Sequence, residues 1–152
     1  YEGGIRVPLM VRWPGHVAAG STSAEPVISM DFFSTFLEVA GLAPDPAHPQ
    51  DGVSLLPVLR QTGKLDRPAL YFHFPNYAWH MGNRLGSAIR AGDYKLIRNY
   101  DDGSLELYDL KNDLGEQHNL AATRVPLADR LQRQLAHWLR QTGAPMPRPP
   151  NS

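Results

Sequence analysis

Residues 87–110 run SAIRAGDYKLIRNYDDGSLELYDL. Apolar and polar residues alternate here with the two-residue period of a half-buried strand. Ala91-Gly92-Asp93 and Asp101-Asp102-Gly103-Ser104 break that alternation with the residues that hairpin turns require. Strands are therefore expected over 87–90, 94–98 and 105–110. A further strand over 69–74 (ALYFHF) precedes them, giving an antiparallel meander of four.

Downstream the period lengthens. Over 126–141, Leu127, Leu131, Leu135, Trp138 and Leu139 fall along one helical face, with Arg130, Arg133, Gln134 and Arg140 mostly elsewhere. Pro126 suits the first turn of that helix and Gly143 its end. The apolar stripe is expected to lie on the sheet. The Pro-rich tail 144–152 reads as extended chain.

Upstream the pattern is of another kind. Tyr1-Glu2-Gly3-Gly4 reads as a turn. Residues 7–13 (VPLMVRW), closed by Pro14-Gly15, read as a strand apolar on both faces, which needs a neighbour on each side. Over 31–40 the residues Phe32, Phe33, Phe36, Leu37 and Ala40 have helical spacing, with Asp31 or Ser29 placed to cap the start and Gly41 the end. Residues 44–49 are loop, and 54–59 a short turn of helix that tolerates Pro57 early. The expected organisation is an α/β segment over 1–60, an α+β subdomain over 61–143 and the tail.

Composition narrows the function. Fifteen basic and fifteen acidic residues leave no net formal charge, which excludes binding to nucleic acid through a dominant basic surface. Charged residues make up 20% and hydrophobic ones 42%, as in a globular protein. The 13 glycines and 14 prolines among 152 residues exceed the usual combined share of ~12%, so the chain is rich in loops. Without cysteine, disulfides and thiolate metal sites are excluded within it. No apolar run approaches the ~20 residues of a membrane helix.

The six histidines form no HxH or HExxH spacing, so no metal ligand is assigned. His16, His48, His118 and His137 read as structural or surface residues. His73 and His80 differ, lying in the aromatic stretch 71–80 (YFHFPNYAWH) between a strand and a loop. Aromatic faces with polar tips suit a sugar or aryl ligand; a cluster that merely fills space is the other reading. Asp101-Asp102 before glycine is turn chemistry, and Asp109, Asn112, Asp113 and Glu116 lack calcium-loop spacing. There is no GxSxG and no P-loop, so no catalytic residue is assigned to the chain.

Several blocks in order resemble the type I, formylglycine-dependent sulfatases. The first is Tyr1-Glu2-Gly3-Gly4-Ile5-Arg6-Val7-Pro8, running into Val11-Arg12-Trp13-Pro14-Gly15. Residues 31–41 resemble that family's DxxPTxLxLAG helix, with Ser34 in place of proline. Residues 51–57 (DGVSLLP) resemble its DGxSLLPLL block, and 88–97 (AIRAGDYKLI) its AIRxGDYKLI hairpin. Residues 106–120 resemble ELYDLxxDPxExxNL, with Leu114 where proline is common.

The resemblance implies an alkaline-phosphatase-like α/β fold, of which this chain is the C-terminal part. It would supply the last strand and helix of the catalytic domain, then the four-stranded antiparallel sheet packed by one long helix. The formylglycine, the calcium ligands and the catalytic histidine and lysine side chains would all lie upstream, the last lysine just ahead of Tyr1. None is carried by this chain, which alone would be inactive. The C-terminal subdomain of that family lines one side of the substrate cleft, which implies cleft-facing roles for His73, Tyr77 and His80, and for Asn76 and Arg84. Glu2 and Gly4 would shape the turn after the lysine. The implied partners are the N-terminal catalytic portion and a sulfate-ester small molecule or glycan, and the family points to the periplasm or secretion. A phosphodiesterase or phosphonate-ester hydrolase on the same scaffold, and a noncatalytic glycan-binding module, are the alternatives. The lone strand at 7–13 makes self-association of the isolated chain an expectation.

Overall fold

A computed structural model describes residues 1–76 and 82–147. The chain divides into two compact units, Tyr1–Arg6 with Pro68–Ser152, and Val7–Arg67.

The first unit holds a sheet of strands β1 (Leu70–Phe74), β2 (Gly86–Ala91), β3 (Tyr94–Asn99) and β4 (Leu105–Asp109), antiparallel throughout and in the order β1-β2-β3-β4. Each lies within a residue or two of the strand expected from alternation. The β2–β3 turn is tight because Gly92 adopts φ 58°, which costs glycine little. The Cα register pairs Tyr71, Ile89, Leu96 and Leu107 across the strands. Helix α4 (Val125–Gln141) covers that face, and its Ala128, Leu131, Leu135 and Leu139 join Ile89, Leu96 and Leu107 in one core. Each such aliphatic side chain removed from water contributes ~1.5–3 kcal/mol. Trp138 stacks on Tyr71 with ring centroids 4.8 Å apart. Pro126 stands in the first turn of α4, and Gly143, at φ 59°, follows its end.

The opposite face carries the alternate register rows. One is Leu70, Arg90, Lys95 and Tyr108; the next is Phe72, Ala88, Ile97 and Glu106; the last is Phe74, Gly86 and Asn99. The opening segment lies on this face. It forms α1 (Glu2–Ile5), one closed helical turn rather than an open one, with the Arg6 amide donating to the Glu2 carbonyl at 2.8 Å. Glycines disfavour helix; here the anchoring of Glu2, described below, overrides them.

In the second unit, α2 (Asp31–Val39) and α3 (Leu56–Leu59) fall where periodicity placed helices. Residues 7–13 do not form the expected strand. Among the described residues they pair with no neighbour, and Val7 and Met10 are 79% and 89% exposed. A strand needs a ladder, and this unit offers none. The packing of α2 also differs from the expected apolar stripe. Its buried residues are Asp31 and Thr35, whereas Phe33 and Phe36 are 61% and 66% exposed.

Asp31 does not cap its helix through its side chain. Its carboxylate instead takes a bidentate pair from Arg67 at 2.6 and 3.0 Å and the amide protons of Ile28 and Val53. Burial alone would raise this carboxyl, but the Arg67 hydrogen bonds and the two amides hold it below the usual aspartate range. Thr35 donates to the Asp31 carbonyl and accepts from the Leu55 amide. Ser34, which stands where the resembled motif has proline, bonds to Gln50 and to the Gly52 carbonyl. Gly52 is obligatory, because a Cβ there would sit 2.1 Å from the Met30 carbonyl oxygen. No helix among the described residues is long and apolar enough to cross a membrane.

Candidate functional site

The sheet face opposite α4 is built around a buried lysine. Lys95, 1% exposed, donates to Glu2 Oε1 at 3.1 Å and lies 2.8 Å from Glu116 Oε1. Glu116 also accepts the Glu2 amide proton through its second oxygen. The Arg90 and Arg6 guanidinium groups stand 3.8 Å from Glu2 Oε2, too far for a direct hydrogen bond. A lone charge so deeply buried would be very costly, so these groups hold one another in place. Glu116 adopts φ 53°, strained for a residue with a Cβ, and its two anchoring contacts offset that strain.

One row along, Glu106 gathers three donors. Tyr1 and Tyr108 hydroxyls share Oε2 at 2.8 and 2.7 Å, and Asn99 donates to Oε1 at 2.7 Å. Burial pushes the Glu106 carboxyl up, but these donors and the Arg84 charge bring it below the usual glutamate range. Burial and the adjoining carboxylate push the Tyr108 phenol well above its ordinary value, so it stays a donor. Tyr1 shifts the same way for the same reasons.

His73, at the end of β1, has both ring nitrogens engaged inside the chain. Nδ1 lies 2.6 Å from Ser87 Oγ, and Nε2 lies 2.7 Å from the Pro145 carbonyl oxygen. Since a carbonyl only accepts, Nε2 carries a proton there. Ser87 in turn meets the Tyr100 hydroxyl at 2.7 Å. The imidazole thus fastens the segment after α4 to the sheet. The Asn76 carbonyl accepts from the Asn83 side chain, and Arg84 is exposed within electrostatic reach of Glu106 and Asp102. Tyr77 and His80 lie outside the described residues. The structure therefore places His73, Asn76 and Arg84 at one end of the sheet without joining them into a single hydrogen-bonded site.

Neither Glu106 nor the Glu2–Lys95–Glu116 cluster was singled out from sequence. The available signal was strand parity: Arg90, Lys95 and Tyr108 share the face opposite Ile89 and Leu96. The resembled blocks containing Glu2 and Lys95 gave a second. Among the described residues no three carboxylates or histidines converge as cation ligands. Glu2 and Glu116 converge on the Lys95 ammonium, which fills the place of a cation. These residues do not fit the calcium ion of the resembled family.

A family model described as N-sulphoglucosamine sulphohydrolase, C-terminal, matches residues 1–143. A sulfatase of Formosa agariphila is 39% identical over 160 residues, spanning 95% of this chain and 29% of its own length. An N-acetylglucosamine-6-O-sulfatase of Bacteroides thetaiotaomicron is 40% identical over 126 residues, spanning 79% of this chain and 22% of its own. A protein solved in complex with its substrate, D-glucosamine-2-N,6-O-disulfate, is 36% identical with a TM-score of 0.65, over 86% of this chain and 26% of its own. This chain thus spans less than a third of the curated relatives it matches. The solved protein shares this fold over most of the chain. The chain belongs to the C-terminal domain family of the sulfatases.

Proposed function

We propose that this chain is the C-terminal part of a sulfuric ester hydrolase and lines one side of its substrate cleft. In this reading the nucleophile and the calcium ligands lie in an N-terminal catalytic portion. The 152 residues alone are inactive. The match of a C-terminal sulfatase family model to residues 1–143 carries the proposal. The substrate is a sulfate ester on an amino sugar, a class supported by two relatives, one named for N-acetylglucosamine 6-O-sulfate and one bound to a disulfated glucosamine.

Within that enzyme the segment from His73 to Arg84 faces the leaving-group side of the substrate. His73 sets the base of the segment, since its two bonds fix where β1 ends. Tyr77 and His80 offer a stacking surface and a polar tip, Asn76 an amide, and Arg84 an exposed guanidinium for an anionic sugar. None of these groups attacks sulfur. Their contribution is orientation, which appears in KM before kcat. The exposed segment 7–13 and the phenylalanines of α2 complete their packing against the N-terminal portion.

The test is to express the whole reading frame that contains this chain. Sulfate released from glucosamine 6-sulfate, with none released by the 152-residue chain, is the expected result. Preferential hydrolysis of an aryl phosphate, or sulfate release by the chain alone, would overturn it.

A further inference from the structure

Charge is unevenly placed along the chain. Beyond Glu116 the sequence holds Arg124, Arg130, Arg133, Arg140 and Arg148 against a single acidic residue, Asp129. The chain as a whole has no net formal charge, so an acidic excess upstream balances this basic one. Three of the arginines gather on one side of α4. At about 3.6 residues per turn, Arg130, Arg133, His137 and Arg140 fall within an arc of about 80°, opposite Leu131, Leu135 and Leu139. All four are exposed, and among the described residues none is in an ion pair, Asp129 one turn before Arg133 included. A helix face that serves only solubility interleaves both signs and pairs them at i, i+4. This one presents a single sign along about 15 Å of helix. Arg140 in the last turn complements the helix dipole, but Arg130 and Arg133 stand too far from the end to do so.

We propose that the outward face of α4 binds a sulfated polysaccharide, with Arg130, Arg133 and Arg140 holding its sulfate groups and His137 between them. This role rests on the reading that the parent acts on a sulfated amino sugar, since a polymer of that sugar is the polyanion the enzyme meets. Guanidinium forks match the paired oxygens of an oxyanion. A stripe of this length suits several sugar units in line rather than one. Trp138, half-buried and stacked on Tyr71, borders the stripe and adds the aromatic edge on which sugar rings pack. A membrane surface fits less well. A helix lying in a lipid interface inserts its apolar face, and that of α4 is already buried on the sheet. Nucleic acid calls for a dominant basic surface, which a neutral chain does not supply.

The test uses the full-length parent in three forms: unsubstituted, with Arg130→Gln, Arg133→Gln and Arg140→Gln together, and with the exposed Arg60, Lys64 and Lys111 each changed to Gln as a control that loses the same charge elsewhere. Affinity for a heparin octasaccharide is measured by calorimetry. The stripe variant should bind about tenfold more weakly than the unsubstituted parent, the combined worth of three exposed ion pairs, and its affinity should fall less steeply with salt. The control should stay within about twofold, because charges beyond a Debye length are screened. Any binding elsewhere on the parent is common to all three forms. No loss in the stripe variant, or an equal loss in the control, would overturn the proposal. Tighter binding of single-stranded DNA or phosphatidylserine vesicles through the same arginines would assign the face to another partner and overturns it too. If the stripe variant does not fold, arginine-selective labelling of the unsubstituted parent with phenylglyoxal answers the same question: the octasaccharide should shield these three arginines, and unshielded ones sink the site. Sulfate release keeps the two readings apart. A parent active on glucosamine 6-sulfate whose octasaccharide affinity ignores the stripe sinks only the binding surface. A parent that binds through the stripe and releases no sulfate sinks only the function.

Discussion

The longest helices of the two units bury opposite kinds of residue. In the sheet unit, Ile89, Leu96, Leu107, Leu131 and Leu135 are at most 1% exposed, and α4 seals them. In the unit of residues 7–67, the most deeply buried side chain of α2 is a charged one, Asp31, while its phenylalanines face outward. The first unit satisfies its own apolar surface. The second buries Leu55, Leu56 and Leu65 but holds α2 by polar groups and leaves the phenylalanines of that helix bare. A soluble domain complete in itself rarely leaves several large apolar side chains together in solvent; such a patch marks an interface. The contrast separates a region that stabilises itself from one shaped to be stabilised by something else.

The largest blow to the second unit is expected at its polar centre. Asp31→Ala leaves Arg67, 12% exposed, without its carboxylate and frees the Ile28 and Val53 amides. Breaking one side of a buried pair costs ~3–5 kcal/mol. Loss of protection at the Ile28 and Val53 amides in hydrogen exchange checks it, while the sheet amides keep theirs. In the first unit Leu135→Ala should cost ~2–5 kcal/mol, read from the urea midpoint. The contrast would break if Asp31→Ala proved neutral and Leu135→Ala unfolded only the second unit.

Phe36→Ser sharpens the comparison further, because its expected effect depends on what surrounds it. In the isolated chain the side chain is mostly in water, so stability should move by no more than ~0.5 kcal/mol. In the parent enzyme the same change should cost ~1.5–3 kcal/mol, the value of a buried phenylalanine. A thermal shift equal in both settings would mean that nothing covers α2.

How far the sequence foretold this follows from the same contrast. The sheet and α4 were legible because local period, turn residues and burial all agree: Gly92 turns where alternation stops, and Leu131 and Leu135 face inward where the helical spacing puts them. Residues 7–13 were not, because an apolar run reads as a strand whether or not a ladder is available to it, and their own unit provides none. The apolar stripe of α2 failed because the Asp31–Arg67 pair and the Thr35 hydroxyl, not the phenylalanines, fix which side of the helix is buried. The buried charges were hidden differently. Lys95 sits between Tyr94 and Leu96 in an ordinary alternation, and only the fold brings Glu2 from the far end of the sequence to meet it. The cleft residues were legible as a composition, the aromatic stretch 71–80, but composition does not reveal that the His73 ring is already spoken for by Ser87 and Pro145.

The smallest expected effect is electrostatic, and it tests whether the carboxylates matter equally in the two units. Asp31 and Glu106 both titrate below their ordinary values of 3.8 and 4.5. A carboxyl whose pKa is lower in the folded state stabilises the fold at pH above its unfolded value. That contribution is lost as pH falls through the folded value, since the unfolded chain then binds the proton more readily. Stability should therefore hold from neutral pH down to the ordinary carboxylate range and fall below it. Glu106→Gln removes the titration and one acceptor oxygen, so the sheet unit should lose at neutral pH the stability that the carboxylate supplies, and with it part of its acid sensitivity. The second unit, resting on the Asp31–Arg67 pair, should keep all of its own. Urea midpoints at pH 7 and pH 3, followed separately by Trp138 in α4 and Trp13 in the second unit, distinguish the two. If Glu106→Gln flattened the acid response of both probes equally, the units would be one cooperative body, and the division between a self-sufficient sheet and a dependent second unit would have to be abandoned.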